Sequence, residues 1–225
     1  MIKNYRLIIF LIFIGQKLFF IRGSLKRLLN TYINNLVNYD SSKNILESRV
    51  NTVVNGVPFF FYFDRMSETK QVFGSYNKKK IDFLKQNTND NAIFVDIGAN
   101  IGFYTQNIAS VFNSSNLSKI ISIEPNPVLV NRLKENLSLL ENNIPDVKNK
   151  IVIENYAIGS EEGEIFLDLN EGYGNARIIS DKKTTAIKVQ IITLLKLMQK
   201  HKIEYITNLK IDVEGFEDRA RKPFF

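Results

Sequence analysis

The spacing of apolar positions changes several times along this chain. Residues 7–21, LIIFLIFIGQKLFFI, are apolar almost throughout and broken only by Gln16 and Lys17. Residues 24–48 carry Leu28, Leu29, Tyr32, Ile33 and Leu36 at helical spacing, which predicts a helix. Residues 50–63, VNTVVNGVPFFFYF, are rich in β-branched and aromatic side chains and are divided by Asn55-Gly56, the strongest short-range hairpin signal. The second arm, 59–63, is expected to cover one edge of a core. Residues 67–86 read as helix or loop, and the polar 87–91 as a linker.

From Ala92 onward strand and helix patterns alternate. Strands are predicted at 92–96 (AIFVD), 119–124 (KIISIE), 150–156 and 208–213 (NLKIDV). Helices are predicted at 103–112, with Tyr104, Ile108 and Val111 on one face, at 127–140, with Val130, Leu133, Leu137 and Leu140 at core spacing, and at 193–200. Residues 164–168 and 187–191 read as a small hairpin. Such alternation implies an α/β fold, a mostly parallel sheet with helices on both faces, whose ligand lies along the edge formed by the strand C-termini. The chain thus divides into an apolar, basic helical region at 1–48, a hairpin and helix at 49–90, and a main domain at 91–225.

Composition narrows the chemistry. There is no cysteine among the 225 residues, which removes disulfides, thiolate metal sites and cysteine nucleophiles together. One histidine, His201, argues against a His-based metal site, so no metal is expected, and its polar surroundings read as a solvated surface. The net charge of +7 suggests nucleic acid until its distribution is examined. Residues 1–40 hold six bases (Lys3, Arg6, Lys17, Arg22, Lys26, Arg27) and one acid, Asp40, so they carry +5 and the remaining chain only +2. No nucleic-acid partner is therefore expected. A fifteen-residue helix at 7–21 spans roughly 22 Å, short of the ~30 Å bilayer core. Three readings of 1–36 stay open: a helix lying on an anionic membrane surface, a helix packed on the domain or on a second copy of the chain, and a signal or spanning segment. The location expected is cytoplasmic, peripheral to the membrane in the first of these readings.

Residues 94–104, FVDIGANIGFY, follow a strand and open a helix. Glycines at 98 and 102 permit a tight turn and a close ligand. The dinucleotide fingerprint G-x-G-x-x-G is absent because Asn100 takes the middle position, and no G-K-[ST] follows. The first strand ends in Asp96, a buried carboxylate that needs a partner, which a ligand ammonium would provide. Capping of the following helix is the plainer role. The second strand ends in Glu124, placed to accept hydrogen bonds from two ribose hydroxyls, or simply an exposed acid before a turn. Together they suit a nucleoside that carries an amino acid and no phosphates, a description met by S-adenosylmethionine. The strand at 208–213 alternates Leu209, Ile211 and Val213 with Lys210, Asp212 and Glu214. Charges on a central parallel strand mark a site, whereas on an edge strand they are merely solvated.

Four segments in order, D-I-G-A-N-I-G-F-Y-T at 96–105, I-S-I-E-P-N-P at 121–127, N-Y-A-I-G at 155–159 and L-K-I-D-V-E-G-F-E at 209–217, resemble the motifs of the FkbM family of S-adenosylmethionine-dependent methyltransferases. The resemblance implies a Rossmann-like class I methyltransferase fold. It implies that Asp96, Gly98, Asn100 and Gly102 line the methionine part, that Glu124 holds the ribose, and that Asn155 and Ala157 lie near adenine, where a plain loop is the alternative. It places Asp212 and Glu214 near the transferred methyl as catalytic candidates, and a hydroxyl of a glycan, glycolipid or small molecule as acceptor. Family members continue through further strands after the last motif, so the domain is expected to be incomplete at its C-terminus. A non-catalytic remnant and, less favoured, a nicotinamide-dependent oxidoreductase are the competing readings.

Overall fold

A computed structural model describes residues 5–17, 28–29, 31–32, 49–62, 68, 71–112, 118–141, 144, 146–168, 177–179 and 186–213. Most of the helix expected at 24–48, together with Glu214 and the rest of the last motif, lies outside these residues. The chain forms two units, Met1–Lys80 and Ile81–Phe225.

In the first unit, α1 (Tyr5–Lys17) precedes a hairpin of β1 (Val50–Val54) and β2 (Val57–Phe61). Asn55 and Gly56 both have positive φ, 52° and 83°, as a two-residue type I′ turn requires, and the register runs from Val50↔Phe61 to Val54↔Val57. Phe59 and Phe61 are fully buried. The hairpin forms a two-stranded sheet of its own. Ile12 is buried, and Gln16 Nε2 donates to Val53 O at 3.0 Å and to Val72 O at 2.9 Å, which pins one face of α1.

Helix α2 (Lys78–Gln86) leads into the second unit, where β3 (Ile93–Ile97), α3 (Phe103–Ala109), β4 (Lys119–Ile123), α4 (Pro127–Glu141) and β5 (Ile151–Glu154) follow one another. Between β5 and α5 (Leu194–His201) lie β6 (Ala157–Ile158), β7 (Gly163–Asp168), β8 (Arg177–Ile179) and β9 (Ala186–Ile192); β10 (Asn208–Ile211) follows α5. The main sheet is parallel throughout in the order β10-β3-β4-β5. The chain steps outward from β3 to β5 on one side and returns to β10 on the other. The crevice between the C-termini of β3 and β10 is therefore a topological switch point, where open α/β sheets bind ligands.

Both faces of the sheet are covered. Val95, Ile97, Ile121 and Ile123 pack against Leu194 and Leu197 of α5. The opposite face meets α3, whose seven residues are all buried. Helix α4 starts at Pro127 behind Asn126, whose Oδ1 accepts the Val128 N–H at 3.0 Å. A proline at the first helical position preceded by an Asn cap is a standard helix opening. The expected hairpin at 164–168 and 187–191 is present as β7 and β9, but within a four-stranded sheet of order β6-β9-β7-β8 built around Ala157, Leu167 and Val189. Among the described residues, no helix is long and apolar enough to cross a membrane.

Candidate functional site

A polar rung crosses the interior of the main sheet. The register places Lys210 beside Asp96 and Asp96 beside Ser122, on three adjacent strands whose neighbours are apolar. Asp96 is fully buried. Its Oδ2 accepts the Thr105 hydroxyl at 2.7 Å and the Thr105 N–H at 3.2 Å, and the same hydroxyl lies 2.7 Å from Ser122 Oγ. Asp96 thereby caps the first turn of α3, the plainer of the two roles read from sequence. Its Oδ1 has Lys210 Nζ at 3.1 Å, an ion contact rather than a directed hydrogen bond. Lys210 Nζ also donates to Gly98 O at 2.7 Å and Ile97 O at 3.3 Å, and lies 5.4 Å from the centre of the Tyr104 ring. Within the chain, the counter-charge of Asp96 is Lys210. Sequence reasoning noticed Lys210 only as a break in an apolar alternation, and passed over Thr105 and Ser122.

The loop from Gly98 to Gly102 is closed on itself. The N–H groups of Gly98 and Ala99 both donate to Ile123 O, at 2.9 and 3.0 Å, and that of Gly102 to Ala99 O at 2.9 Å. The Asn100 N–H donates to Glu124 Oε2 at 2.9 Å and the Ile101 N–H to Asn100 Oδ1 at 2.8 Å. The left-handed turns at Gly98 (φ 72°), Asn100 (φ 57°) and Gly102 (φ 85°) allow this winding. At Gly98 a Cβ would stand 2.0 Å from Asp212 O, so the loop and the end of β10 meet where only glycine fits.

Glu124, just past β4, is buried, and its Oε1 accepts the Asn126 N–H at 2.9 Å. With Oε2 on Asn100, the carboxylate is held at the sheet edge by two backbone donors. Asn155 Nδ2 donates to Glu124 O at 2.9 Å and Pro125 O at 2.8 Å, tying the end of β5 to that of β4. Ala157 sits on β6 with its side chain in the core of the smaller sheet. Asp212 follows β10: its N–H donates to Ile97 O at 3.1 Å, while its side chain is 57% exposed, with Oδ2 3.9 Å from Lys210 Nζ. The structure therefore gathers Asp96, Gly98, Asn100, Gly102, Glu124 and Asp212 around the ends of β3, β4 and β10. Asn155 adjoins them, Ala157 belongs to the smaller sheet, and Glu214 lies outside the described residues.

His201 departs from expectation. Its side chain is only 12% exposed, and Nε2 lies 2.7 Å from Glu154 Oε1, so it is not a solvated surface group. Glu154 Oε2 also accepts from Lys200 Nζ at 2.8 Å, a bond that raises the Lys200 pKa above its ordinary value. Glu154 pairs in register with Ile123, on the α5 face of the sheet. Among the described residues no cluster of His, Cys, Asp and Glu could hold a metal ion.

A βαβαβ unit with acids at the ends of its first two strands and a glycine turn at the switch point defines a Rossmann-like nucleoside-binding domain. The sequence matches the family described as the methyltransferase FkbM domain over residues 96–219, more than half of the chain. The chain belongs to the FkbM methyltransferase family. Among solved structures it is similar to TYW2 from Pyrococcus horikoshii in complex with MeSAdo, at 22% identity over 49% of this chain and 37% of that one, with a TM-score of 0.38. It is also similar to a SAM-dependent methyltransferase from Agrobacterium tumefaciens, at 16% identity over 51% of this chain and 34% of that one, with a TM-score of 0.37. The chain thus spans little more than a third of the length of either. No curated protein matches it.

Proposed function

We propose that this domain binds S-adenosylmethionine at the ends of β3, β4 and β10, and directs its methyl group to a hydroxyl of a glycan, glycolipid or small molecule. The observation that carries this reading is the accounting of the loop N–H groups. All five from Gly98 to Gly102 already have acceptors within the protein. A phosphate cradle works by presenting such groups to the ligand. A loop that spends them internally suits a nucleoside without phosphates, and this also counts against a nicotinamide dinucleotide. Glu124, fixed by two backbone donors, offers carboxylate oxygens to a vicinal diol.

In this reading Asp96 acts one step back from the ligand. With Lys210 and Thr105 it sets the conformation of the loop that lines the amino-acid end. Asn100 and Gly102 shape the same wall. Asn155 holds the β4–β5 ends in place, and Ala157 closes the adenine side only through the backbone of its segment. When bound, S-adenosylmethionine supplies an already activated methyl group, so the protein's task is alignment in line with the acceptor oxygen. A hydroxyl acceptor must also lose its proton. Asp212, exposed beside the loop, is the base assigned here, with Glu214 two residues on as the alternative. Transfer of labelled methyl to a panel of hydroxyl acceptors tests this. Asp212→Asn is expected to lower turnover about a hundredfold or more while leaving cofactor affinity within a few-fold. Full turnover in that variant removes Asp212 from the reaction, and no transfer to any hydroxyl acceptor by cofactor-bound protein contradicts the acceptor class.

A further inference from the structure

Helix α1 has two unlike faces. Ile12 and Gln16 hold one against the hairpin, Ile12 by burial to 1% exposure and Gln16 by its two bonds to Val53 O and Val72 O. Leu7, Phe10 and Phe13 are 38%, 57% and 55% exposed, successive turns of one apolar stripe. At about 100° per residue, Leu7 and Phe10 lie about 120° or more from both Ile12 and Gln16. The sequence of α1 includes Arg6 and Lys17 and contains no acid. The surrounding forty residues carry +5 of the chain's +7.

We propose that α1 lies in the plane of an anionic lipid surface, with Leu7, Phe10 and Phe13 among the acyl chains, while Ile12 and Gln16 keep the helix docked on its own hairpin. Its thirteen described residues extend roughly 20 Å, short of the ~30 Å bilayer core, and among the described residues no helix is long and apolar enough to cross. Charge complementarity selects the occupant. A protein groove would accept the phenylalanines but has no need of a basic, acid-free setting, whereas an anionic bilayer rewards both features. The packed and membrane-bound readings of this segment are then two faces of one helix. Nothing in this proposal depends on the methyltransferase reading.

The test is cosedimentation of the full chain with vesicles of phosphatidylcholine alone, or with 30% phosphatidylglycerol, in low and high salt. The expected result is partition onto the anionic vesicles that falls at least tenfold on neutral vesicles or in ~0.5 M salt, where screening shortens to a few ångströms. Phe10→Asp with Phe13→Asp abolishes it, while Phe83→Asp, at another exposed aromatic, does not. Three results would overturn the proposal. The first is no partition onto anionic vesicles by the native chain. The second is equal partition by the double variant, or by neutral and anionic vesicles. The third is self-association without lipid binding that the double variant breaks, which would make a second copy the occupant.

Discussion

Lys210 shows how one side chain can settle several obligations at once. Its ammonium has three donors, and Asp96 Oδ1, Gly98 O and Ile97 O lie around it at 3.1, 2.7 and 3.3 Å. Lys210→Met would leave a fully buried carboxylate without its counter-charge, and breaking such a pair costs about 3–5 kcal/mol. Urea unfolding should show that loss, and Asp96→Asn combined with Lys210→Met should recover part of it. If the double variant were no better than Lys210→Met, the charge imbalance would not be its cause. That Asp96 needs a partner was legible in the sequence. The identity of the partner was not, because Lys210 is 114 positions away and only the β10–β3 register brings the two together. Glu154, Lys200 and His201 teach the same lesson. The raised Lys200 pKa means that its bond to Glu154 contributes stability from neutral pH up to the ordinary lysine value of 10.5, and loses it as pH rises through the raised folded value. With Lys200 42% exposed, the contribution is about 0.5 kcal/mol. Lys200→Met should therefore show a small deficit in denaturant unfolding that is the same at pH 8 and pH 10, before any closing at higher pH.

At the scale of elements, legibility followed period and length. The type I′ turn at Asn55-Gly56, the apolar runs of β3 and β4, and the Leu133, Leu137, Leu140 stripe of α4 were all readable, because each is local and long enough to show its period. Strands β6 and β8 were not, since two and three residues cannot display alternation. Helix α3 was placed but misjudged in character. It was expected over 103–112 with Tyr104, Ile108 and Val111 on one face, yet it is buried on every side through Ala109, and Val111 is 41% exposed. The loop between β3 and α3 makes a graded prediction. Gly98 and Gly102 both have positive φ, but a Cβ at Gly102 meets the movable Leu133 Cδ1 at 2.2 Å, whereas one at Gly98 meets backbone, Asp212 O, at 2.0 Å. Gly102→Ala should cost about 1 kcal/mol and Gly98→Ala about 3 kcal/mol or more, read from urea midpoints. Equal losses would mean that the loop and the end of β10 do not abut.

For the whole molecule, the α/β class and the sheet edge at which the candidate residues gather followed from strand–helix alternation alone, since right-handed crossovers leave few alternatives. The charge asymmetry was equally plain, and it separates a basic N-terminal segment from a nearly balanced remainder. What the sequence did not show is the manner in which the site is held. The bonds from the loop to Ile123 and Glu124, the buried Lys210–Asp96–Ser122 rung and the Asn155 tie between strand ends arise from contacts between residues 24 to 114 positions apart. Asn136 makes the same point, since it lies in an N-x-S triplet yet is fully buried and donates to Ile101 O at 2.9 Å, so it anchors the loop instead of accepting a glycan. We propose that this edge binds S-adenosylmethionine. It is tested most directly by calorimetric titration of S-adenosylmethionine and S-adenosylhomocysteine into the full chain, beside Asp96→Ala and Glu124→Ala. Saturable one-to-one binding of both ligands is expected, which each substitution weakens at least tenfold, with NAD giving no heat. Folded native protein that binds neither ligand, or that binds them unchanged in the Glu124→Ala variant, would contradict it.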